Sequence, residues 1–324
     1  MEPGDTGSDE HPLAKLERPK YWQDIAASPA LLAELELIRS GSKVLEIGSA
    51  GGHMTRALID RGCRVTAIER DPESGQAAKE VCERVFIADV EDMDFATTLG
   101  AELFDVVLLG DVLEHLVHPE RLLDTLHRCV AADGSLVVSL PNVAHASLRL
   151  ALLQGRFVYG PWGLLDSTHL RFFTRASTRE MFHRAGWLIV ETRDVEIEPR
   201  NWEVKWEPHD VSVGTLRSVS RDVDAFAYQF VFRAIPESRL GTENRVSGVD
   251  AAPKRVAIHR GRRKLAQFLV RTAVVERRAG APISRAAGLI WKAFLLSPRL
   301  KELGWLPIVS LPRAWCESFD NRRW

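Results

Sequence analysis

Five short runs of apolar residues recur between residues 43 and 142. Each is rich in Val, Ile and Leu, which is typical of strands buried on both faces of a sheet. The intervening segments are long enough for crossover helices, which we expect at 51–61, 72–82 and 119–131. The predicted strands are KVLEIG (43–48), RVTAIE (64–69), RVFIAD (84–89), FDVVLLGD (104–111) and SLVVSLPN (135–142).

The pattern changes after residue 142, where AHASLRLALLQG predicts a helix and residues 160–175 predict a loop. A further helix is predicted over 177–186, with Ser177 as its N-cap and Glu180 completing a capping box. WLIVETRDVEI and DAFAYQFVFRAI predict two more strands, the second as an antiparallel partner at the edge. The seven strands predict an α/β fold with a doubly wound, mostly parallel sheet.

Charge divides the chain further. The formal net charge of the 324 residues is −1, but residues 251–324 hold 16 Lys and Arg against 4 Asp and Glu. We therefore expect an acidic, turn-rich and disordered N-terminus (1–19), an α/β domain (20–236) and a basic, amphipathic helical extension (237–324).

Cysteine usage and apolar run length bear on the compartment. The four cysteines have no CxxC spacing, and no apolar h-region lies near the N-terminus. No apolar run reaches the roughly 18–20 residues that span a membrane. These features predict a protein of the reducing cytoplasm.

A glycine-rich turn follows the first predicted strand. Gly48, Gly51 and Gly52 let the backbone approach a ligand at the start of a helix, where N–H groups are unpaired. The turn departs from the dinucleotide pattern G-x-G-x-x-G, because Ala50 stands at the middle glycine position. The carboxylate of Glu46 just before the turn would repel a pyrophosphate and could attract an amino group.

Acidic residues also end the next three strands. Glu69 closes the second strand, Asp89 the third, and Asp111 follows Gly110 at the end of the fourth. Open α/β sheets bind ligands at this carboxyl edge, where a carboxylate can accept hydrogen bonds from ribose hydroxyls. The four acidic strand ends together predict a ligand site.

These motifs, in this order, resemble those of the class I S-adenosylmethionine-dependent methyltransferases, over roughly residues 20–236. The resemblance implies a Rossmann-like fold and S-adenosylmethionine as the cofactor. It implies that Glu46 and the turn hold the amino-acid moiety, that Glu69 binds the ribose and that Asp89 and Val90 face the adenine. The implied cofactor residues are Glu46, Gly48, Ser49, Gly51, Gly52, Glu69, Asp89, Val90, Gly110 and Asp111.

The acceptor side is indicated by VLEHL (112–116) and STHLRFFT (167–174). Both are similar to segments of ubiquinone-biosynthesis-type O-methyltransferases and of glycan- or natural-product-tailoring relatives. In those proteins the segment after the fifth strand caps the acceptor pocket, so residues 160–175 are named the lid segment. The resemblance implies a tailoring enzyme that methylates a hydroxyl of a small molecule, sugar or glycan.

Removal of the proton from an acceptor hydroxyl is aided by a base, for which histidine is suited. His169 and His115 are therefore the candidate catalytic residues, whereas Phe172 and Phe173 could be core residues or pocket walls. The candidate acceptor contacts are Glu114, Asn142 and Trp162.

Two alternative interpretations are open, and the first uses the same residues. Asp111, Glu114, His115 and His169 would suit a divalent metal that polarises the hydroxyl, although no metal is expected in the main interpretation. The segment is also similar to small-RNA 2′-O-methyltransferases, but an acidic body disfavours phosphates, so no nucleic acid is expected. The second alternative is an inactive cofactor-binding module that acts through its C-terminal extension.

The extension mixes Arg and Lys with apolar residues over 254–305, with Trp291 and Trp305 as amphipathic anchors. It could form a helix pair at a membrane surface, dock on an acidic partner, or pack its apolar face on the domain. Contact with a membrane would suit a lipid-linked acceptor and would place this cytoplasmic protein at the membrane periphery. Docking on an acidic partner is a separate possibility.

Overall fold

The computed structural model describes residues 28–82, 84–199, 203–239 and 255–297, with side chains from residue 261 onward in the last range. In these ranges one sheet has eight strands, in the order β3-β2-β1-β4-β5-β8-β6, with β7 also paired to β8. Strands β1 to β5 pair in parallel, and β8 runs antiparallel to β5 and β6. The strands are β1 Lys43–Ile47, β2 Arg64–Glu69, β3 Arg84–Ile87, β4 Phe104–Gly110, β5 Val130–Pro141, β6 Trp187–Thr192, β7 Val195–Glu196 and β8 Ala227–Pro236.

The sheet confirms the predicted doubly wound architecture, with two differences. The run predicted as one strand over 187–197 is divided between β6 and β7, which gives the eighth strand. The last strand, β8, is interior rather than at the edge, because β6 pairs along its outer side. The predicted N-terminus (1–19) lies outside the described residues.

Alternation along the central strands produces two apolar layers. Leu45 and Val107 face one buried cluster, whereas Val44 and Val106 face the other, on the opposite side of the sheet. Both sides are therefore covered, as a parallel sheet requires.

The predicted crossover helices are present but shorter, and α5 ends at Leu126 because a turn and then β5 follow. Pro29, Pro72 and Pro119 occupy first-turn positions, where a missing N–H costs no helical hydrogen bond. The helices are α1 Pro29–Leu37, α2 His53–Asp60, α3 Pro72–Ala78, α4 Phe95–Leu99, α5 Pro119–Leu126, α6 Ala146–Leu153, α7 Arg175–Arg184, α8 Val213–Val219, α9 Arg255–Arg278 and α10 Ile283–Leu296.

The predicted cap of the helix after the lid segment is wrong. Helix α7 begins two residues earlier, with Thr174 as its N-cap. The Ser177 N–H donates to Thr174 Oγ1 at 3.2 Å, and the Thr174 N–H donates to Ser177 Oγ at 2.9 Å. Ser177 therefore fills the third position of the box, and Glu180 pairs with Arg184 instead.

The C-terminal helices α9 and α10 pack against the domain. Leu269 and Leu289 are fully buried in one cluster with Leu148 of α6 and with Leu164 and Leu165 of the lid segment. This packing agrees with the third possibility for the extension, in which its apolar face packs on the domain.

Ion pairs join Lys264 to Glu196, and Arg271 to Glu198 at 2.8 Å. In the described ranges no helix combines the length and the apolar character needed to cross a membrane. Trp291 is exposed, and Trp305 lies outside the described residues. Contact of the extension with a membrane or an acidic partner stays a prediction.

This packing makes the extension part of the folded unit. We expect Leu269→Ala to lower the free energy of unfolding by about 2–5 kcal/mol, since it leaves a cavity in the cluster. Val275→Ala, at a position 62% exposed, is the matched control and should change it by less than about 0.5 kcal/mol. Urea unfolding measures both, and equal effects would contradict the packing.

Candidate active site

The glycine-rich turn lies between β1 and α2 at the carboxyl edge of the sheet. Gly48 and Gly52 have φ of 77° and 78°, and Ala50 has φ of 45°. A Cβ at residue 48 would lie 2.8 Å from Val112 Cγ2, and one at residue 52 would lie 2.7 Å from Val81 Cγ2. Both glycines are therefore required by conformation and by space.

Glu69 ties this turn to the end of β2. Its Oε2 accepts from the Ala50 N–H and its Oε1 from the Asp71 N–H, each at 2.8 Å. A carboxylate oxygen can accept more than one hydrogen bond, so these contacts leave room for ribose hydroxyls. The role of Glu69 as the ribose acceptor stays a prediction.

Glu46 is buried beneath the turn, where its carboxylate accepts from the Thr55 hydroxyl. Burial raises the pKa of Glu46 to about 7, against the lowering effect of the Thr55 hydrogen bond. The hydroxyl of Ser49, also buried, has no hydrogen-bond partner among the described residues. An unsatisfied buried hydroxyl in a tight turn fits a bound polar ligand.

Asp89 and Val90 follow β3. The Glu91 N–H donates to Asp89 Oδ1 at 2.9 Å, which leaves the second oxygen beside Arg70. Val90 lines a cleft of about 350 Å³, together with residues that the sequence reasoning missed. These include Met93, Val117 and His118. The cleft fits the predicted adenine side, although the assignment of these residues stays a prediction.

Gly110 and Asp111 lie where β4 ends. Asp111 has φ of 52°, and its N–H donates to Ser139 Oγ at 2.9 Å. Ser139 Oγ in turn donates to Asp111 Oδ1 at 2.9 Å, and the Gln229 amide donates to the same oxygen. This network stabilises Asp111 in its left-handed conformation, at the point where the chain turns from β4 toward residues 113–115.

The lid segment is fastened to the short 3-10 helix of residues 113–115. The N–H groups of Leu170 and Arg171 donate to the Glu114 carbonyl at 2.8 and 2.9 Å. Within the segment, Asp166 Oδ1 accepts from the Thr168 N–H at 2.8 Å and from its hydroxyl at 2.7 Å. These contacts place His169 beside the turn after β4.

Glu114, His115 and His169 form one cluster. A potential ligand atom of each lies within 4.8 Å of the others, and the two imidazole rings meet edge to face with centroids 4.9 Å apart. Asp111 is not in this set, which differs from the metal group considered in the sequence. The cluster brings the two candidate bases together.

Burial dominates the electrostatics of the cluster. Glu114 is fully buried, neither oxygen has a partner among the described residues, and desolvation raises its pKa well above the usual range. Burial, with His115 alongside, lowers the pKa of His169 to about 4, and its Nδ1 has no partner in the described chain. His115 Nδ1 lies 3.2 Å from both the carbonyl and the hydroxyl of Thr168.

Asn142, one of the predicted acceptor contacts, forms hydrogen bonds within the chain. Its side chain is fully buried, where the amide donates to the carbonyls of Asp224 at 3.0 Å and Ala227 at 2.7 Å. Its oxygen accepts from the Ala144 N–H at 2.9 Å. Asn142 therefore joins the end of β5 to the start of β8, and both of its amide N–H groups are used within the chain. Its role as an acceptor contact stays a prediction.

The aromatic residues of the lid segment divide between core and surface. Phe173 is buried in the main cluster, whereas Trp162 and Phe172 are exposed. Phe157 and Tyr159, which the sequence reasoning missed, are also exposed, and Phe157 contacts Phe172 with ring centroids 6.2 Å apart. Phe157 also contacts Tyr159 with ring centroids 5.3 Å apart, so Phe157, Tyr159 and Phe172 form an aromatic rim on the lid side of the molecule.

One further acidic residue was missed by the sequence reasoning. Glu34 of α1 is 1% exposed, and burial raises its pKa to about 8, with the charge of Asp111 adding to the effect. It shares a buried face with Ala30 and Leu37. This i, i+4, i+7 spacing was the available signal, because a carboxyl at a core position requires an explanation.

The sheet order, the glycine turn and the acidic strand ends together define a class I methyltransferase. A family model described as a methyltransferase domain matches residues 17–192, and the chain belongs to that family. S-adenosylmethionine is its cofactor.

Curated relatives are similar over much of this length. The ubiquinone biosynthesis O-methyltransferase of Psychrobacter arcticus is 27% identical over 61% of this chain and 77% of its own. That of Cereibacter sphaeroides is 26% identical over 56% and 74%. Among solved structures, the CcbJ methyltransferase from Streptomyces caelestis is 15% identical with a TM-score of 0.46, over 67% of this chain and 94% of its own.

Ala50 is the departure from glycine in the turn, and it adopts a left-handed conformation that costs a non-glycine residue about 1–2 kcal/mol. We expect Ala50→Gly to raise the free energy of unfolding by up to about 1 kcal/mol, since glycine's unfolded-state entropy offsets part of the relief. Gly52→Ala should lower it. Urea unfolding tests both, and a loss of stability in Ala50→Gly would contradict the strain.

Proposed function

We propose that this methyltransferase transfers the methyl group to a hydroxyl oxygen of a small molecule. The observation that carries the proposal is the cluster of buried Glu114 with half-buried His115 and His169, held under the lid segment beside the end of β4. Hydroxyl methylation benefits from a group that receives the hydroxyl proton, and this cluster holds unpartnered acceptor atoms. Similarity to ubiquinone biosynthesis O-methyltransferases also supports an oxygen acceptor.

Bound S-adenosylmethionine supplies an electrophilic methyl group on a sulfonium. The chain contributes alignment, because in-line displacement requires acceptor oxygen, methyl carbon and sulfur in one row. The turn around Gly48 and the strand ends fix the cofactor side, and the lid segment closes the acceptor side. Exclusion of water by the lid also favours the acceptor over hydrolysis.

Proton removal falls to His169. Its imidazole is neutral at pH 7, since burial lowers its pKa to about 4, and its unpartnered Nδ1 can accept the acceptor's proton. The resulting imidazolium would lie beside the carboxyl group of Glu114, and it would give the proton to solvent after the methylated product leaves. His115, fixed by Thr168, borders the acceptor from the other side.

The aromatic rim, which consists of Phe157, Tyr159 and Phe172, reaches His169 through Phe172, with ring centroids 6.4 Å apart, and favours an acceptor that carries an apolar or aromatic group near its hydroxyl. Trp162 keeps the acceptor-side role predicted for it. A sugar or glycan acceptor finds no support in the names of the relatives, so the proposal is a hydroxyl-bearing aromatic or apolar small molecule.

A divalent cation in the same cluster is the second candidate mechanism. Glu114, His115 and His169 offer one carboxylate and two imidazoles, and the unpaired buried carboxylate of Glu114 fits a bound cation. These three side chains would hold the cation, which would polarise the acceptor hydroxyl.

His169→Ala should lower kcat by about 10²–10⁴-fold with a responsive phenol or catechol, because the proton acceptor is lost. The affinity for S-adenosylhomocysteine should stay unchanged, as measured by calorimetry. His183→Ala, on the exposed surface of α7, is the control and should keep full turnover. Unchanged turnover in His169→Ala would remove this residue from the chemistry.

The two mechanisms separate on treatment with EDTA followed by dialysis. If His169 acts directly, we expect turnover to be retained and added Mg²⁺, Mn²⁺ or Zn²⁺ to have no effect. Loss of turnover that one of these ions restores would favour the cation, and Glu114→Gln should then prevent the restoration. Oxygen methylation itself is established by the mass and NMR spectrum of the product.

A further inference from the structure

Glu34 is a buried carboxyl group that the mechanism above does not use. It projects from the apolar helix α1, its side chain is 1% exposed, and its Oε2 has no hydrogen-bond partner among the described residues. A buried acceptor with no partner destabilises the folded protein, and more so when it is charged. Retention of such a group inside an apolar helix face points to a ligand that completes it.

The position of Glu34 identifies which part of the site it faces. A Cβ at Gly110 would lie 3.0 and 3.2 Å from the two carboxyl oxygens of Glu34. The carboxyl group therefore lies over the end of β4, at one of the residues that the resemblance implies to bind the cofactor. Helix α1 reaches this point because it packs on β5 and β8.

The groups that face Glu34 are acidic or neutral. Asp111 after β4 and Glu46 of β1 raise its pKa, and the Ser139 hydroxyl of β5 lowers it. Glu114 lies near enough to feel its charge. None of the ion pairs between described residues includes Glu34, so among these residues no basic side chain balances its charge when it ionises.

Glu46 is less suited to bind a cation than Glu34. Glu46 Oε2 already accepts from the Thr55 hydroxyl, and the residue lies beneath the glycine turn. Glu34 Oε2 has no hydrogen-bond partner among the described residues. The carboxyl group also lies beside Gly110, which has no side chain to fill the space next to it. The cofactor's methionine moiety carries one ammonium group that would pair with such an oxygen.

We propose that Glu34 binds the α-ammonium group of S-adenosylmethionine from helix α1, beside Gly110. The carboxylate accepts an N–H of the ammonium group, and the proton that Glu34 carries in the free protein is released to solvent on binding. The proposal concerns the cofactor alone and does not depend on the acceptor or on the element that is methylated.

Glu34→Gln tests the proposal, since it keeps the shape of the protonated side chain and removes the negative charge. Calorimetric binding of S-adenosylhomocysteine should weaken by about 10- to 100-fold, the range for a hydrogen bond to a charged group. Methylthioadenosine lacks the amino-acid group, so its affinity should be unchanged. Glu36→Gln, at an exposed position of the same helix, should alter neither affinity.

Titrations at pH 7 in two buffers of different ionisation enthalpy supply a second readout. The wild-type protein should release up to one proton for each S-adenosylhomocysteine bound, and Glu34→Gln should release measurably less. Unchanged affinity for S-adenosylhomocysteine would overturn the proposal. An equal loss for methylthioadenosine would overturn it too, because the defect would then lie in the whole cofactor site.

Discussion

Two hydrogen bonds to one carbonyl oxygen hold the acceptor side of this protein together. The N–H groups of Leu170 and Arg171 both donate to the backbone carbonyl of Glu114. They join a loop that follows α6 to the turn that follows β4, two segments more than 50 residues apart in sequence. His169 reaches Glu114 and His115 because this junction exists.

The junction is supported from behind by the C-terminal helices. Leu164 and Leu165 of the lid segment are buried with apolar residues of α9 and α10. Glu203 accepts from the Leu164 N–H and from the Tyr228 hydroxyl at 2.6 Å, so the strand side and the lid side share one anchor. The amphipathic character of the extension thus has a role within the domain, because its apolar face packs behind the lid segment.

Sequence periodicity predicted the sheet because strand burial is a local property of each run. The same reasoning placed Glu46, Glu69 and Asp111 at one edge, since parallel strands end together. Contacts between distant segments lack such a local signal. Asn142 donates to carbonyls at and just before the start of β8, and His169 meets residues that follow β4, so neither role could be derived from spacing. The spacing of Ala30, Glu34 and Leu37 indicated that Glu34 lies on a buried helix face. Its proposed role depends on its position beside Gly110, which is distant in sequence.

A shared property of the site is a set of buried carboxyl groups. Glu34, Glu46 and Glu114 are each nearly or fully buried, and burial raises the pKa of each. Such carboxyl groups disfavour ionisation until a positive charge arrives. The cofactor brings two positive charges, an ammonium and a sulfonium, so its binding and the ionisation of these groups should reinforce each other.

A crystal structure with bound S-adenosylhomocysteine would test the proposed acceptor site most directly. We expect the sulfur to face the cluster of Glu114, His115 and His169, with the adenine near Val90 and the lid segment still bonded to Glu114. A sulfur directed away from the cluster, or a lid segment that no longer carries His169 to it, would contradict the proposed acceptor site.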